Sequence, residues 1–310
     1  MNDGAHLHLP PVVLGCGSIG GIGSAPAFFG QGESEEEAFA IMDAAWALGI
    51  DWFDTADAYG GGRSEAAIGA WIKRTGNRPR ITTKTFNPMA EGEDSGLSRA
   101  RIGRQIESSL VRLGVDRVDL YLTHDFDPDT PLEEVLASFS VLVELGLVGA
   151  FGVSNFNGPQ LAETLHLGRP ALVQNSYSLL DRADDADVIL LCVESGIPYQ
   201  AFSPLAGGWL TGKYRRGEPP PPGSRMAMRP ESYLHLDNER VYAGIDAMVE
   251  AAAARGISTA GLAIAWVLAH PLVDSIVVGP RSPEQLGPVT EALLLPLAPD
   301  ERDELTALFP

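Results

Sequence analysis

The chain has 310 residues, 45% of them hydrophobic and 20% charged, with a formal net charge of −19 and two cysteines. That size and balance fit a globular protein with a sizeable core and exclude a disordered one. A uniformly acidic surface repels nucleic acid and anionic membranes, so neither is expected as a partner, and an anionic ligand needs a local basic pocket.

In chain order, residues 12–16 read as a buried strand running into Gly15, Gly17 and Gly20, the G-x-G-x-x-G spacing of a dinucleotide-binding turn. That turn works only if a helix opens at once and presents its N-terminus to a pyrophosphate. Here glycines continue to Gly32, so the expectation is a glycine-rich loop that lets backbone approach a ligand or neighbour closely. The first helix starts at Ser34, where Ser34 and Glu37 form a capping box, and stops at Gly49.

A strand at 51–55 emerges into Tyr59, Gly60 and Gly61. A helix at 64–74 and a strand at 80–84 follow. The helix at 98–113 carries Ile102, Ile106, Leu110 and Leu113 on one face and Gly114 as its stop. After a strand at 118–124, Thr130, Pro131 and Glu133 read as cap, first-turn proline and capping box of a helix to Leu145. Then come a strand at 150–155, a helix at 158–167, a strand at 171–175, a helix at 184–195 and a strand at 198–203. Residues 204–236, rich in Gly and Pro, are too long for a plain connection and read as a lid or linker. Helices at 237–255 and 258–269, a strand at 275–279, a short helix from Ser282 and a C-terminal tail complete the chain.

Eight short strands, apolar on both faces, alternate with helices. A closed (β/α)₈ barrel and a doubly wound open sheet both fit; eight units in this length favour the barrel, as one domain over residues 1–310. Cys16 and Cys192 lie in apolar segments and read as buried thiols of a reducing compartment. The N-terminal residues lack a basic flank before an apolar core, and no apolar run reaches a membrane span of roughly 18 residues. A cytoplasmic location is expected.

In a barrel, the C-terminal strand ends carry function. Those ends offer Asp54 with Tyr59 after it, Lys84, His124, Ser154 and Asn155, Gln174 and Asn175, and Ser203. Lys84 is one of only three lysines, with Lys73 and Lys213, and ends an apolar strand, where arginine could not tune its charge. A tyrosine hydroxyl is a poor proton donor near neutrality. A nearby ammonium lowers its pKa, and a carboxylate holds the ammonium. A histidine can donate to a carbonyl oxygen. The set suits protonation of a carbonyl oxygen while a nicotinamide supplies hydride.

Phe53-Asp54-Thr55-Ala56-x-x-Tyr59-Gly60, Thr82-Thr83-Lys84 and Asp119-Leu120-Tyr121-Leu122-Thr123-His124 together resemble the aldo-keto reductase superfamily. So do Gly152-Val153-Ser154-Asn155-Phe156, Gln174-Asn175-Ser176-Tyr177 and Phe202-Ser203-Pro204-Leu205-Ala206-Gly207-Gly208. The resemblance implies a (β/α)₈ barrel that binds NAD(P)H without a Rossmann domain and interconverts aldehydes or ketones with alcohols. It makes Tyr59 the general acid and base, Lys84 the group that lowers its pKa, Asp54 the partner of Lys84, and His124 the residue that orients the carbonyl. It assigns Ser154, Asn155 and Gln174 to the nicotinamide carboxamide, Phe202 to its ring, and Ser203, Leu205 and Gly207 to the pyrophosphate. Gly17, Ser18, Asp54, Lys213, Gly279, Arg281 and Gln285 join the cofactor contacts it implies, and the long loop after Ser203 matches the segment that folds over the cofactor.

Ser282, Pro283 and Gln285 also read as a capped helix start beside Arg281, an anion site in an acidic protein. With the resemblance, this favours NADPH over NADH. One departure stands out: the family usually has Glu-Asn three and four residues after the Gln285 position, against adenine, where this chain has Pro288-Val289.

Other readings are weaker. His124, Asp125, Asp127 and Asp129 could be metal ligands, but metal barrels draw several histidines from different strand ends. His6, His8, His166, His235 and His270 lie elsewhere, so no metal is expected and the three aspartates read as a solvated loop and helix start. Lys84 as a Schiff-base nucleophile conflicts with a carboxylate that keeps it protonated. Trp46, Trp52, Trp71 and Trp266 read as packing, Trp209 as a lid or substrate contact, and Asp57 as a plain loop carboxylate. A cofactor-binding regulatory subunit with little turnover is the functional alternative.

Overall fold

Strands that are apolar on both faces must be covered on both, and parallel strands achieve this by closing around their own side chains with helices outside. The computed structural model describes residues 7–309; His6 lies outside the described residues. β1 (Val12–Gly15), β2 (Trp52–Asp54), β3 (Arg80–Thr85), β4 (Val118–Thr123), β5 (Val148–Ser154), β6 (Val173–Ser176), β7 (Tyr199–Phe202) and β8 (Ser275–Val278) close in sequence order into a parallel barrel. β1 completes the ring against β8, with Val13 opposite Val277.

Two-residue periodicity then decides which way each side chain points. Val13, Trp52, Leu120, Leu122, Leu172 and Val277 form an inner cluster with Leu9. Leu14, Phe53, Tyr121 and Val173 join the larger core between strands and helices. Two residues beyond Trp52 on the inward face comes Asp54, two beyond Leu122 comes His124, and two beyond Leu172 comes Gln174. Thr82, which accepts the Trp52 Nε1–H at 2.9 Å, fixes the same parity for Lys84. The interior is therefore apolar at its base and ionic at its top.

The helices α1 (Glu35–Ala47), α2 (Arg63–Thr75), α3 (Arg99–Leu113), α4 (Leu132–Glu144), α5 (Gly158–Leu167) and α6 (Val188–Ser195) follow the strands in turn. The capping box of Ser34 and Glu37 forms as expected. Elsewhere local chemistry differs from expectation. Pro131, without a side-chain cap, precedes α4, because the Thr130 hydroxyl is spent on Asp127 at 2.8 Å. Residues 183–186 form a separate 3₁₀ turn before α6.

The long segment after β7 is built up rather than loose. It holds a 3₁₀ stretch (Ala206–Thr211), the one-turn α7 (Arg225–Met228) and further turns at Pro230–Ser232 and Leu234–Leu236. α8 (Glu239–Ala254) and α9 (Thr259–Leu268) lead to β8. The expected tail instead forms α10 (Gly287–Leu293) and α11 (Pro299–Thr306). Trp266 Nε1 donates to Thr306 Oγ1 at 2.9 Å, and Arg182 donates to Phe309 O at 2.6 Å, docking this end on the barrel. Among the described residues no single helix is long and apolar enough to cross a membrane.

Candidate active site

Lys84 is fully buried, and its ammonium bonds the Asp54 carboxylate and the Thr55 carbonyl, the latter at 3.0 Å. The other Asp54 oxygen accepts from Gln174 Nε2 at 2.8 Å. That amide also donates to Gln200 Oε1, and Gln200 in turn donates to Ser275. Side chains from five strands, β2, β3, β6, β7 and β8, are thus tied together, and the Lys84 charge cannot wander.

Tyr59 opens a 3₁₀ turn, Tyr59–Gly61. Gly60 has φ +59 and packs against the first loop: a Cβ there would fall 2.7 Å from the Gly20 carbonyl. Glycine is required on both counts. The turn brings the Tyr59 ring over Lys84, whose Nζ is 5.2 Å from the ring centroid. The Tyr59 hydroxyl is 3.5 Å from His124 Nε2, with the two rings edge to face. The His124 carbonyl accepts from Asn155 Nδ2 at 2.8 Å, so Asn155, in the left-handed region at φ +60, steadies the histidine backbone.

Burial raises the Tyr59 pKa above its usual value, and Lys84 offsets only part of that. Before any ligand arrives, the tyrosine is a firmly protonated donor rather than an acidified one. Burial works to lower Lys84, but Asp54 and Tyr59 together more than reverse it and leave the ammonium charged well past neutrality. Burial, then the Lys84 charge, brings His124 down to about 3, so the ring is neutral. The arrangement offers a neutral hydroxyl donor backed by a fixed cation, beside a neutral imidazole.

The residues expected to hold a dinucleotide lie along one side of this centre. Ser154 and Gln174 are buried at their strand ends and Asn155 is exposed. The Gln174 amide nitrogen is fully engaged, which leaves its oxygen as the acceptor. Ser18, next to Gly17, has a buried hydroxyl with no partner among the described residues. After Phe202, a run of left-handed residues (Ser203, Ala206, Gly207 and Gly208) makes the type of backbone that gathers N–H groups into an anion-binding concavity. The Lys213 ammonium lies against Gly208. Burial, Arg225 and Arg281 all lower its pKa, so the three cations share one region.

Arg225 joins this cationic group without any sequence signal. It lies within the Gly- and Pro-rich loop, where no pattern marks it. Its Nη1 is buried and unpartnered among the described residues, an exception among buried donors. Gly279 follows β8 beside Gly15, with 3.5 Å from the Gly15 carbonyl to a Cβ placed there. The Arg281–Gln285 segment differs from the expected capped helix. Pro283–Leu286 is a single 3₁₀ turn, Ser282 makes no cap bond, and Gln285 Oε1 accepts the Arg281 N–H at 2.9 Å. The positive charge here comes from guanidinium groups, not from a capped helix end. Val289 is buried in the core, so this position has no polar edge for a base.

Three further expectations are corrected. Asp57 is wholly buried, with neither oxygen hydrogen-bonded among the described residues and the Arg101 guanidinium 4.0 Å away. Burial pushes its pKa up to about 7. Asp127 is buried rather than solvated. It accepts from Leu97 N at 2.6 Å, Asp129 N at 3.0 Å and Thr130 Oγ1 at 2.8 Å. Trp209 is buried against Tyr214 and Tyr242 and cannot act as a lid. Among the described residues no three His, Cys, Asp or Glu side chains are grouped to hold a metal. Cys16 and Cys192 are buried free thiols.

The family model described as "Aldo/keto reductase family" matches residues 12–309. An uncharacterized oxidoreductase, YrpG, of Bacillus subtilis (strain 168) is 34% identical over 300 residues, covering 91% of this chain and 90% of its own. A probable voltage-gated potassium channel subunit beta of Oryza sativa subsp. japonica is 31% identical, covering 90% of this chain and 89% of that protein. Among solved structures, the glycerol dehydrogenase AKR11B4 from Gluconobacter oxydans superposes with a TM-score of 0.83 at 27% identity, over 97% of this chain and 91% of that one.

Proposed function

The chain belongs to the aldo/keto reductase family, and on that premise we propose that it is an NAD(P)H-dependent oxidoreductase. It reduces aldehydes or ketones to alcohols, or runs the reverse, with Tyr59 as general acid and base. The observation that carries this reading is the Tyr59 hydroxyl, held over the buried Lys84–Asp54 pair and 3.5 Å from a neutral His124. The dinucleotide, when bound, supplies or accepts the hydride.

The donor set fits that cofactor. Ser18 and Arg225 present buried polar atoms without partners among the described residues, and Lys213, Arg225 and Arg281 concentrate positive charge in a protein of net charge −19. Gln174 offers its amide oxygen, with Ser154 and Asn155, to the carboxamide. Ser203, Leu205, Gly207, Gly17 and Gly279 contribute close-approaching backbone, and Phe202 a ring face. The cationic cluster and Gln285 favour the 2′-phosphorylated form, NADPH, with NADH as the weaker ligand.

The chain's own steps are few. His124, neutral and fixed by Asn155, orients the carbonyl oxygen toward Tyr59. Tyr59 gives its proton to that oxygen as negative charge builds there. Lys84, unable to leave Asp54, stabilises the phenolate that remains, and the same phenolate takes the proton back in alcohol oxidation. Steady-state oxidation of NADPH with a panel of aldehydes and ketones tests the proposal. The alternative reading is a cofactor-bound regulatory subunit, at which the channel-subunit relatives hint without favouring it. Tight dinucleotide binding with no turnover on any carbonyl would select it.

A further inference from the structure

Arg281 is partly exposed, yet its guanidinium is bonded at two points. Its Nε bonds the Glu33 carboxylate, and its Nη1 donates to Gly223 O at 2.6 Å. Glu33 is buried, and its second oxygen has no partner among the described residues. Its position is not adventitious. Glu33 N donates to Ser18 O at 3.0 Å, Gly20 N donates to Glu33 O at 3.0 Å, and Ile19 and Glu33 form a parallel bridge. Gly32 permits this closeness, since a Cβ there would lie 2.0 Å from Ser18 O. The first loop thus delivers one buried carboxylate into the group of Lys213, Arg225 and Arg281. Glu33 acts on Arg225 as well, working to raise its pKa against the lowering by burial and by Arg281.

We infer that Glu33 is a built-in anion on Arg281 that tempers cofactor selectivity, lowering the preference for a 2′-phosphorylated dinucleotide from what the cations alone would give and bringing one with a free ribose diol close to it. The inference rests on the dinucleotide-binding reading above. A 2′-phosphate that reaches Arg281 must displace Glu33 or share the guanidinium with it, and two anions at that range repel by enough to cost about tenfold or more in affinity. A 2′-hydroxyl has no such conflict, because it can donate to a carboxylate oxygen that lacks a partner. Breaking the Glu33 bond also frees Arg281 from one of the two loops it joins. The phosphorylated ligand therefore meets a competitor already bonded in place, whereas the unphosphorylated one does not.

The test is fluorescence titration of the purified protein with NADPH and with NADH, in wild type and Glu33→Gln. The expected result is that the variant binds NADPH about tenfold or more tightly than wild type while NADH changes by less than about threefold. An equal change for both ligands, in either direction, or no tightening of NADPH, overturns the inference and leaves the dinucleotide reading intact. Failure of wild type to bind either ligand overturns both. A measurement on wild type alone guards against a variant that does not fold. Adenosine 2′,5′-bisphosphate and 5′-AMP are expected to compete with NADH within about threefold of each other, because Glu33 cancels the gain from the added phosphate. A bisphosphate advantage beyond about thirtyfold overturns the inference.

Discussion

Lys84 and Asp54 form an ion pair with both side chains at most 4% exposed, at the ends of neighbouring strands β2 and β3. Removing one member of such a pair leaves the other as an uncompensated buried charge, at about 3–5 kcal/mol. Lys84→Met is therefore expected to lose turnover and to melt at lower temperature. Lys84→Met with Asp54→Asn should regain most of the stability and none of the activity. Thermal melts beside steady-state rates check both halves, and a double variant as unstable as the single one would refute the pairing argument.

Tyr59→Phe removes the hydroxyl and keeps the ring over Lys84. Turnover should fall by about 10²–10⁴-fold, with dinucleotide affinity within about twofold of wild type. Comparable turnover in the variant would remove Tyr59 from the proton-transfer role.

His124 is held neutral, with its pKa brought down to about 3, so it does not titrate where a free histidine would. The rate of carbonyl reduction is expected to show no limb assignable to it between about pH 5 and about pH 8. Tyr59, raised above its usual range, must be protonated to act, so the rate should fall only in the alkaline region. An acidic limb near pH 6.5 that disappears in His124→Gln would contradict the neutral imidazole.

Arg225 makes a prediction of its own, because its Nη1 is unmatched in the absence of ligand. Arg225→Met should weaken both NADPH and NADH and reduce the salt dependence of binding. Arg281→Ala should weaken NADPH well beyond NADH. Equal losses in the second variant would remove Arg281 from 2′-phosphate recognition.

Asp57 links folding to pH. Its pKa rises from 3.8 to about 7 on burial, so the folded chain holds a proton that the unfolded chain has released. Stability attributable to this group is unaffected below 3.8, declines as pH rises from there to about 7, and stays at the lower level above. Asp57→Asn should flatten that decline in a series of melts, gaining more at pH 8 than at pH 5. An identical slope in the variant would assign the titration elsewhere.

Much of this was legible from strand patterning. Asp54, Lys84, His124 and Gln174 end apolar segments, and the period of two puts them on the inward face without any structure. Tyr59 was legible because the glycines after it announce a turn. What could not be read was long-range. Nothing in the local pattern of Asp57 shows that Arg101, 44 positions on (101 − 57), comes within 4.0 Å of it, or that Asp127 accepts from Leu97. Arg281 read as part of an anion site, and its bond to Glu33, 248 residues away, had no local sign. Arg225 and Trp209 share a loop whose composition gives no period, so neither burial nor charge clustering was visible there.

The connection from β3 to α3 is anchored at both of its feet. Arg101 donates to Asn87 O at 2.6 Å and to Gly96 O at 3.1 Å, Gly96 N donates to Phe86 O at 2.8 Å, and Asp127 takes Leu97 N. The stretch 88–95 between those feet is nowhere buried. Within it, Met89 lies against Gly61 and Gly62 of the Tyr59 turn, and Asp94 pairs with Arg101 and Arg104; only positions 90–93 between those two contacts are open to exchange without disturbing the turn. Sequence change at this part of the rim is therefore expected to be tolerated while Tyr59 keeps its place.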